Sequence, residues 1–336
     1  MARIDVVRFL LDCASDDGML RSFDGRNLPE LLFHAKARGY PFAAADLSAV
    51  AGGLEAYVIT RRMGEAIGPS SGLWRRMWGK SHLQYVVDEL IRPLSKGEVE
   101  RVAAPMIHQL IFARPRPGMT EAEFQRYWVE VHAVKYASKI PQIRRYMVDT
   151  RIPQAGESGD PLFSGIAEIW LANEQEQLAS LETPEFLQGA RADEPNWAAF
   201  WATIGLDTDA HVLLEGPALT RNPAWVKQVV LLKRREGLPL DAFRNILLNE
   251  HGPKVLGLPG LRRYLQCHAR DGLYAVGESR FDAVSMAWFD DVEALNSALA
   301  SPLGLSLAEA ESAFIETKYR FPMVAREHWI IGPDAR

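Results

Sequence analysis

The chain has 336 residues, 48% of them hydrophobic and 24% charged, with 38 Lys and Arg against 43 Asp and Glu for a net charge of −5. That length predicts two or three folded units, the composition excludes a disordered chain, and the charge balance gives no global positive field to attract a nucleic-acid backbone. Cys13 and Cys267 lie far apart without metal-ligand spacing, so neither a disulfide framework nor a structural metal is expected and a reducing cytoplasm fits; the longest uncharged run, 294–308, is short and broken by Pro302 and Gly304, which argues against a membrane span.

From the N-terminus, Val6, Val7, Leu10 and Leu11 recur at helical spacing, and Asp5 and Asp12 around this run argue against a signal peptide. Short helices are expected at 28–37 and 44–50, separated by the turn Arg38-Gly39-Tyr40-Pro41. Residues 1–103 therefore read as a helical module. A Gly-, Pro- and Ser-rich linker is expected at 64–71. Gly68-Pro-Ser70-Ser-Gly72 has the spacing of a nucleophile elbow but lacks the preceding strand, and Gly79-Lys80-Ser81 ends like a phosphate-binding loop but has Trp74 at the first glycine position. Arg61, Arg62, Arg75, Arg76 and Lys80 read as a solvated face or a local patch for an anionic partner.

Beyond this module the chain repeats itself. Met106-Ile-His-Gln-Leu-Ile-Phe matches Trp225-Val-Lys-Gln-Val-Val-Leu at an offset of 119, which His132 and His251 keep; Ile143-Arg-Arg-Tyr146 matches Leu261-Arg-Arg-Tyr264 at 118, as do Trp170 with Trp288 and Pro184 with Pro302. Two copies of one domain follow, at 104–218 and 223–334. Each begins with an apolar strand that ends in a basic, Gly-containing turn. A helix comes next, and Thr120-Glu-Ala-Glu123 has the capping-box form at its start. Phe124, Trp128, Val131 and His132 fall at helical spacing on the stripe facing the sheet. Strands are expected at the Arg-Arg-Tyr segments and at 163–171 and 281–289, then a second helix, then closing strands at 211–215 and 327–331. The order is β-α-β-β-α-β, the ferredoxin-like unit, whose exposed sheet face is expected to be apolar and to pair with the other copy.

Both copies resemble the EthD-like domains of the dimeric α+β barrel superfamily, through the strand and basic Pro/Gly turn, Tyr127-Trp128-x-x-x-His132, Ile143-Arg-Arg-Tyr146 and Ile166-Ala-Glu168-Ile-Trp170. Val134 departs from the proline usual after the histidine, and in the second copy Leu247 replaces the tryptophan. The resemblance implies a pocket between sheet and helices, used without a cofactor for dehydration, isomerisation or cyclisation of small, often aromatic or polyketide-like molecules. Residues 1–50, with Phe9-Leu10, Asp16-Asp17, Ala37-x-Gly39-Tyr40-x-Phe42 and Ala45-Asp46-Leu47, resemble the nitrogen-fixation-associated leader-peptide family, which implies a docking role toward a peptide or protein partner; a helical cap on the barrel is the alternative.

A cofactor-free site needs a proton acceptor near neutral pH and a donor beside it. His132 is the candidate base, the alternative being a histidine that only bonds a strand carbonyl. Glu168 shares a strand face with Ile166 and Trp170, where desolvation would raise its pKa toward general-acid range unless it is paired, with Arg144 or Arg145 as candidate partners. Tyr146 could polarise a carbonyl. Phe124, Tyr127, Trp128, Gln109 and Trp170 are expected to line the pocket, with His251, Tyr264, Gln228 and Trp288 as their second-copy counterparts; His108 points to the strand face opposite Gln109. The expected ligand is a small apolar molecule, with no metal, and the protein a monomer or homodimer. The competing reading is a binding protein for a hydrophobic ligand or modified peptide.

Overall fold

A computed structural model describes residues 2–63, 82–103, 106–157, 159–217, 219–221 and 223–333. The chain divides between Met106 and Ile107 into two compact units. The linker expected at 64–71, both decoy patterns and the cations at 75, 76 and 80 lie outside the described residues.

The first unit is helical: α1 (Ala2–Ser15), α2 (Asp17–Phe23), α3 (Leu28–Ala37), α4 (Ala44–Met63), α5 (His82–Tyr85, continued by the π-helical turn Val86–Ile91) and α6 (Lys96–Ala103). Its starts are written in side chains. The Asp16 carboxylate accepts from the backbone of Gly18 and Met19, and Asn27 with Glu30 forms a capping box. α4 runs thirteen residues past the short helix expected at 44–50, through Gly52 and Gly53. Ala51, Leu54 and Val58 carry its stripe into the core formed with Phe9 and Phe23, so packing outweighs the glycine penalty.

The second unit is a closed eight-stranded antiparallel barrel in the order β1-β3-β2-β8-β5-β7-β6-β4. Repeat 1 supplies β1 (Ile107–Ala113), α7 (Glu121–Tyr127, continued by the π-helical turn Trp128–His132), β2 (Ile143–Arg151), β3 (Gly165–Leu171), α8 (Glu174–Leu181) and β4 (Ile204–Leu214). Repeat 2 supplies β5 (Val226–Leu232), α9 (Leu240–Asn245, continued by the π-helical turn Ile246–His251), β6 (Arg263–Ala269), β7 (Ala283–Phe289), α10 (Val292–Ala300), α11 (Pro302–Glu311) and β8 (Phe321–Ile331). Each half is a ferredoxin-like sheet, β4-β1-β3-β2 or β8-β5-β7-β6. The halves join at two seams, β2 to β8 and β4 to β6.

The capping box at Thr120 forms as the spacing predicts, with Glu123 accepting from the Thr120 backbone at 3.0 Å and from its hydroxyl at 2.7 Å. Gly118 and Gly237 occupy the same turn in the two halves, at φ +83° and +81°, a region L side chains avoid. β4 and β8 both start earlier than 211 and 327. The segment Gly205-Leu-Asp-Thr-Asp-Ala has little strand propensity of its own, but β1 and β6 hold it from both sides.

One face of the barrel wall looks inward and the other meets the helices. Leu110, Ile166, Val229, Val284, Met286 and Ala325 belong to a buried inner cluster. The expectation that this face is wholly apolar is not met, because His108, Asp149, Glu168, Lys227 and Glu327 are buried there as well. Among the described residues no helix is long and apolar enough to cross a membrane.

Candidate functional site

Two clusters of chemistry-bearing residues stand on opposite faces of the barrel wall. The inner one centres on Lys227, fully buried. Its Nζ donates to Asp149 at 2.9 and 3.1 Å and to Glu168, and is paired with Glu327 Oε1 at 2.9 Å. His108 Nε2 lies 2.7 Å from Glu168 Oε2, and its Nδ1 lies 3.5 Å from the Cys267 sulfur. Glu327 also accepts from the indoles of Trp225 at 3.0 Å and Trp288 at 2.8 Å. Trp170 stacks on His108 at 4.3 Å.

This cluster corrects the reading of Glu168. Burial alone would lift its pKa, but the Lys227 ammonium and the hydrogen bonds from His108 and Asp149 outweigh burial and hold it well below the usual carboxylate range. Its partners are Lys227 and His108, whereas Arg144 pairs with Glu176 at 2.9 Å. The carboxyl that is pushed up is Asp149, by burial and by the like charges of Glu168 and Glu327 against the pull of Lys227. Lys227 is raised despite its burial because three carboxylates surround it. Burial likewise pushes up the Cys267 thiol, which opposes a nucleophilic role.

The outer cluster lies between α7 and the polar segment that precedes β4. The π-helical turn that ends α7 seats Phe124, Trp128 and His132 inward, while Val131 turns outward. His132 is 6% exposed. Its Nδ1 lies 2.9 Å from Asp193 Oδ2, whose other oxygen accepts from Tyr127 at 2.8 Å and Asn196 at 3.0 Å. The same Nδ1 is 3.1 Å from the Trp197 indole nitrogen, which is a donor only, so an Nδ1–H answers the carboxylate and an Nδ1 lone pair answers the indole. The Trp197 indole packs on the imidazole, with ring centroids 4.5 Å apart. Burial lowers the His132 pKa and Asp193 opposes that shift, so the ring is neutral near pH 7. Burial and Asp193 push Tyr127 up to about 12, which keeps its hydroxyl a donor.

Tyr127 connects this cluster to a cavity of about 310 Å³ lined also by Arg116, Met119, Glu123, Arg126, Glu130 and Val131. The cavity is therefore more polar than the aromatic chamber expected. Phe124 and Trp128 do not line it; they pack with Trp197 in the core at 5.2 and 4.9 Å. A second cavity, of about 210 Å³, opens at one end of the barrel between Phe112, Phe163, Leu231 and Phe321.

The residues singled out from sequence thus separate. His132 and Glu168 are not brought together as an acid/base pair, because Glu168 faces into the barrel and His132 faces its outside. Tyr146 is buried on the helix side, bonded to Trp128 and pushed up by burial. Tyr264 accepts from Gln266 at 3.0 Å and Ser285 at 3.2 Å. Gln109 donates to Asp207 at 3.0 Å, Gln228 is half-buried on the same outer face, and Trp170 and Trp288 belong to the inner cluster. His251 lies 3.6 Å from Glu311, which in turn holds Arg320 at 2.6 Å.

Asp193 has a signal in the sequence that the motifs above do not use. Asp193 and Glu311 stand at the same offset of 118 that aligns Trp170 with Trp288, so an acid accompanies the histidine in both repeats. Lys227 stands where repeat 1 has His108 at the 119 offset, but a strand motif alone does not show that its ammonium is buried. Among the described residues no group of three His, Cys, Asp or Glu side chains could hold a metal ion.

The family described as EthD domain matches residues 116–200 and 235–318, together half of the chain. No curated protein matches the chain. Among solved structures, an anthrone oxidase-like protein is 12% identical, with a TM-score of 0.47, over 68% of this chain and 94% of its own. An EthD-family protein from Bacillus halodurans is 26% identical, with a TM-score of 0.26, over 30% of this chain and 95% of its own. A chlorite dismutase from Candidatus Nitrospira defluvii is 11% identical, with a TM-score of 0.38, over 69% and 95%.

Proposed function

The chain belongs to the EthD domain family, and from that premise we propose that it is a cofactor-independent acid/base catalyst, an isomerase, dehydratase or cyclase, acting on a small and partly apolar molecule at the helix–sheet junction of repeat 1. The observation that carries this reading is the Asp193 carboxylate, which accepts from Tyr127 and lies 2.9 Å from His132 Nδ1 beside a cavity. In the tautomer that places Nδ1–H on Asp193, the neutral imidazole offers its Nε2 as a base and returns the proton as an acid. Asp193 orients the ring and stabilises the imidazolium formed in between. Tyr127, whose proton is retained, positions a polar atom of the ligand. Glu168 and Tyr146 have no part in this scheme, since Glu168 is bonded to Lys227 and His108 inside the barrel and Tyr146 is bonded to Trp128.

Binding without chemistry is the second reading, and the burial of His132 favours it, because the ring does not line the cavity. The helical unit is then a docking piece for a peptide or protein partner, as the resemblance of residues 1–50 suggests, and two buried free thiols accord with a cytoplasmic setting. The two readings separate by hydrogen exchange: hydroxy-ketones and 1,3-dicarbonyl compounds are incubated with the protein in heavy water and followed by NMR. Catalysis predicts loss of the acidic C–H signal with wild type and at least about a hundredfold slower loss with His132→Gln. Equal rates in a folded His132→Gln protein eliminate the catalytic reading.

A further inference from the structure

The ladder registers give the barrel an internal twofold relation. Asp149 faces Glu327 across the β2–β8 seam, and Cys267 faces Ala210 across the β6–β4 seam. Asp149 therefore corresponds to Cys267, and Glu327 to Ala210. By the repeat offsets Lys227 corresponds to His108 and Glu168 to Met286. The Lys227–Asp149 contact at 2.9 Å and the His108–Cys267 contact at 3.5 Å are thus the same contact made twice, across opposite seams, in different chemistry. The apolar inner positions are interchangeable in kind: Leu110 answers to Val229, Phe112 to Leu231, Ile166 to Val284. Whatever distinguishes one half from the other inside the barrel lies in the charged positions.

We propose that the inner network is a pairing code, which makes the sheet edges of repeat 1 fit those of repeat 2 and misfit a second copy of themselves. Two first repeats closed into one barrel would bury both copies of Asp149 and Glu168 around His108 alone, four carboxyls with no lysine among them. Two second repeats would keep Lys227 beside Glu327 but set Cys267 and Met286 where the lysine now has Asp149 and Glu168. Every chain carries one repeat of each kind, so excluding the first pairing is enough to leave only the mixed barrel. Buried polar groups serve best where they fix which surfaces meet.

The test uses the full chain carrying Val148→Cys and His211→Cys. In the mixed barrel these sit on different seams, since Val148 faces His328 and His211 faces Gln266. In a pair of first repeats, position 211 of one chain takes the place of His328 opposite position 148 of the other, within the roughly 4.5–5.5 Å that lets cross-strand cysteines bond. With the native network, non-reducing gels and native mass spectrometry are expected to show monomer and no linked dimer. Adding His108→Lys with Lys227→His hands the ammonium to repeat 1 at unchanged composition, and disulfide-linked dimer becomes the major species. A folded exchange variant without linked dimer overturns the proposal. Should the exchange impair folding, the near-isosteric set Asp149→Asn, Glu168→Gln, Lys227→Met and Glu327→Gln decides: linked dimer supports the code, and a folded, unlinked product refutes it.

Discussion

Replacing Lys227 by methionine removes the one ammonium in the inner network while keeping its length and volume. Asp149, Glu168 and Glu327 are each at most 4% exposed and would lose the donor they share, which for Glu168 is its counter-ion. Breaking a buried pair by removing one partner costs about 3–5 kcal/mol. For a barrel spanning Ile107–Pro333, at about 2–4 °C per kcal/mol, the melting temperature falls by roughly 6–20 °C. The deficit has a pH signature. In wild type the raised Lys227 contributes stability that is full below about pH 10.4 and lost only as pH climbs through its folded value, so its share is constant between pH 5 and 8. Asp149, already raised, stabilises only while it keeps its proton, and that contribution is lost as pH rises through its folded value. Without the ammonium, burial pushes Glu168 the same way. The variant should therefore approach wild type at pH 5 and fall furthest behind at pH 8. Near-ultraviolet circular dichroism reads this directly, since Trp170 and Trp288 lie on the network. A variant melting within 2 °C of wild type at pH 8, or an equal deficit at both pH values, would show that the ion cluster does not carry the stability assigned to it.

Gly165→Ala should destabilise the barrel by about 1–3 kcal/mol in urea unfolding, because an added Cβ meets the Asp149 carbonyl at 2.7 Å and the Trp128 ring at 2.9 Å; a neutral result would mean that β3 and α7 can separate without cost. Acid should also weaken the wild-type barrel through its histidines: burial lowers His132, His211, His251 and His268, the last to about 3, so their contribution is full above about pH 6.5 and is lost as pH falls toward the folded values. For His268 alone this amounts to about 2 kcal/mol between pH 6.5 and 5, and His268→Gln should flatten that part of the pH–stability curve; an unchanged slope would place the proton uptake elsewhere.

The duplication carried most of the fold in plain view. Offsets of 119 and 118 align strands, turns, histidines and tryptophans, and the closed order β1-β3-β2-β8-β5-β7-β6-β4 follows once two ferredoxin-like sheets share their edges. What stayed hidden depends on contacts made through space. Glu168 beside Ile166 and Trp170 looks isolated along the chain, and only closure of the second half brings Lys227 to it from fifty-nine residues away. The early start of β4 is masked for a related reason, since Asp207 and Thr208 read as loop residues until their hydrogen-bond partners are counted. The inner and outer faces of β3 were told apart correctly by alternation, but alternation does not say which face meets the helices, and the pairing of Glu168 with His132 failed at that step.

The same duplication bears on where chemistry belongs. Both repeats keep a histidine at the end of a π-helical turn and an acid 60 or so residues later, so the pair itself is not what separates them. Its surroundings are. Tyr127, Asn196 and Trp197 in repeat 1 give way to Ile246, Phe314 and Ile315 in repeat 2. Asp193 accepts two further neutral donors, whereas Glu311 is engaged by the Arg320 guanidinium and stands 3.6 Å from its histidine. A carboxylate already neutralised by arginine does less to stabilise an imidazolium than one that is not. Repeat 2 therefore retains the scaffold of the dyad without its polar support, and a proton taken up at His251 would be held less firmly than one taken up at His132. If proton transfer occurs in this barrel, repeat 1 is the half whose electrostatics accommodate it.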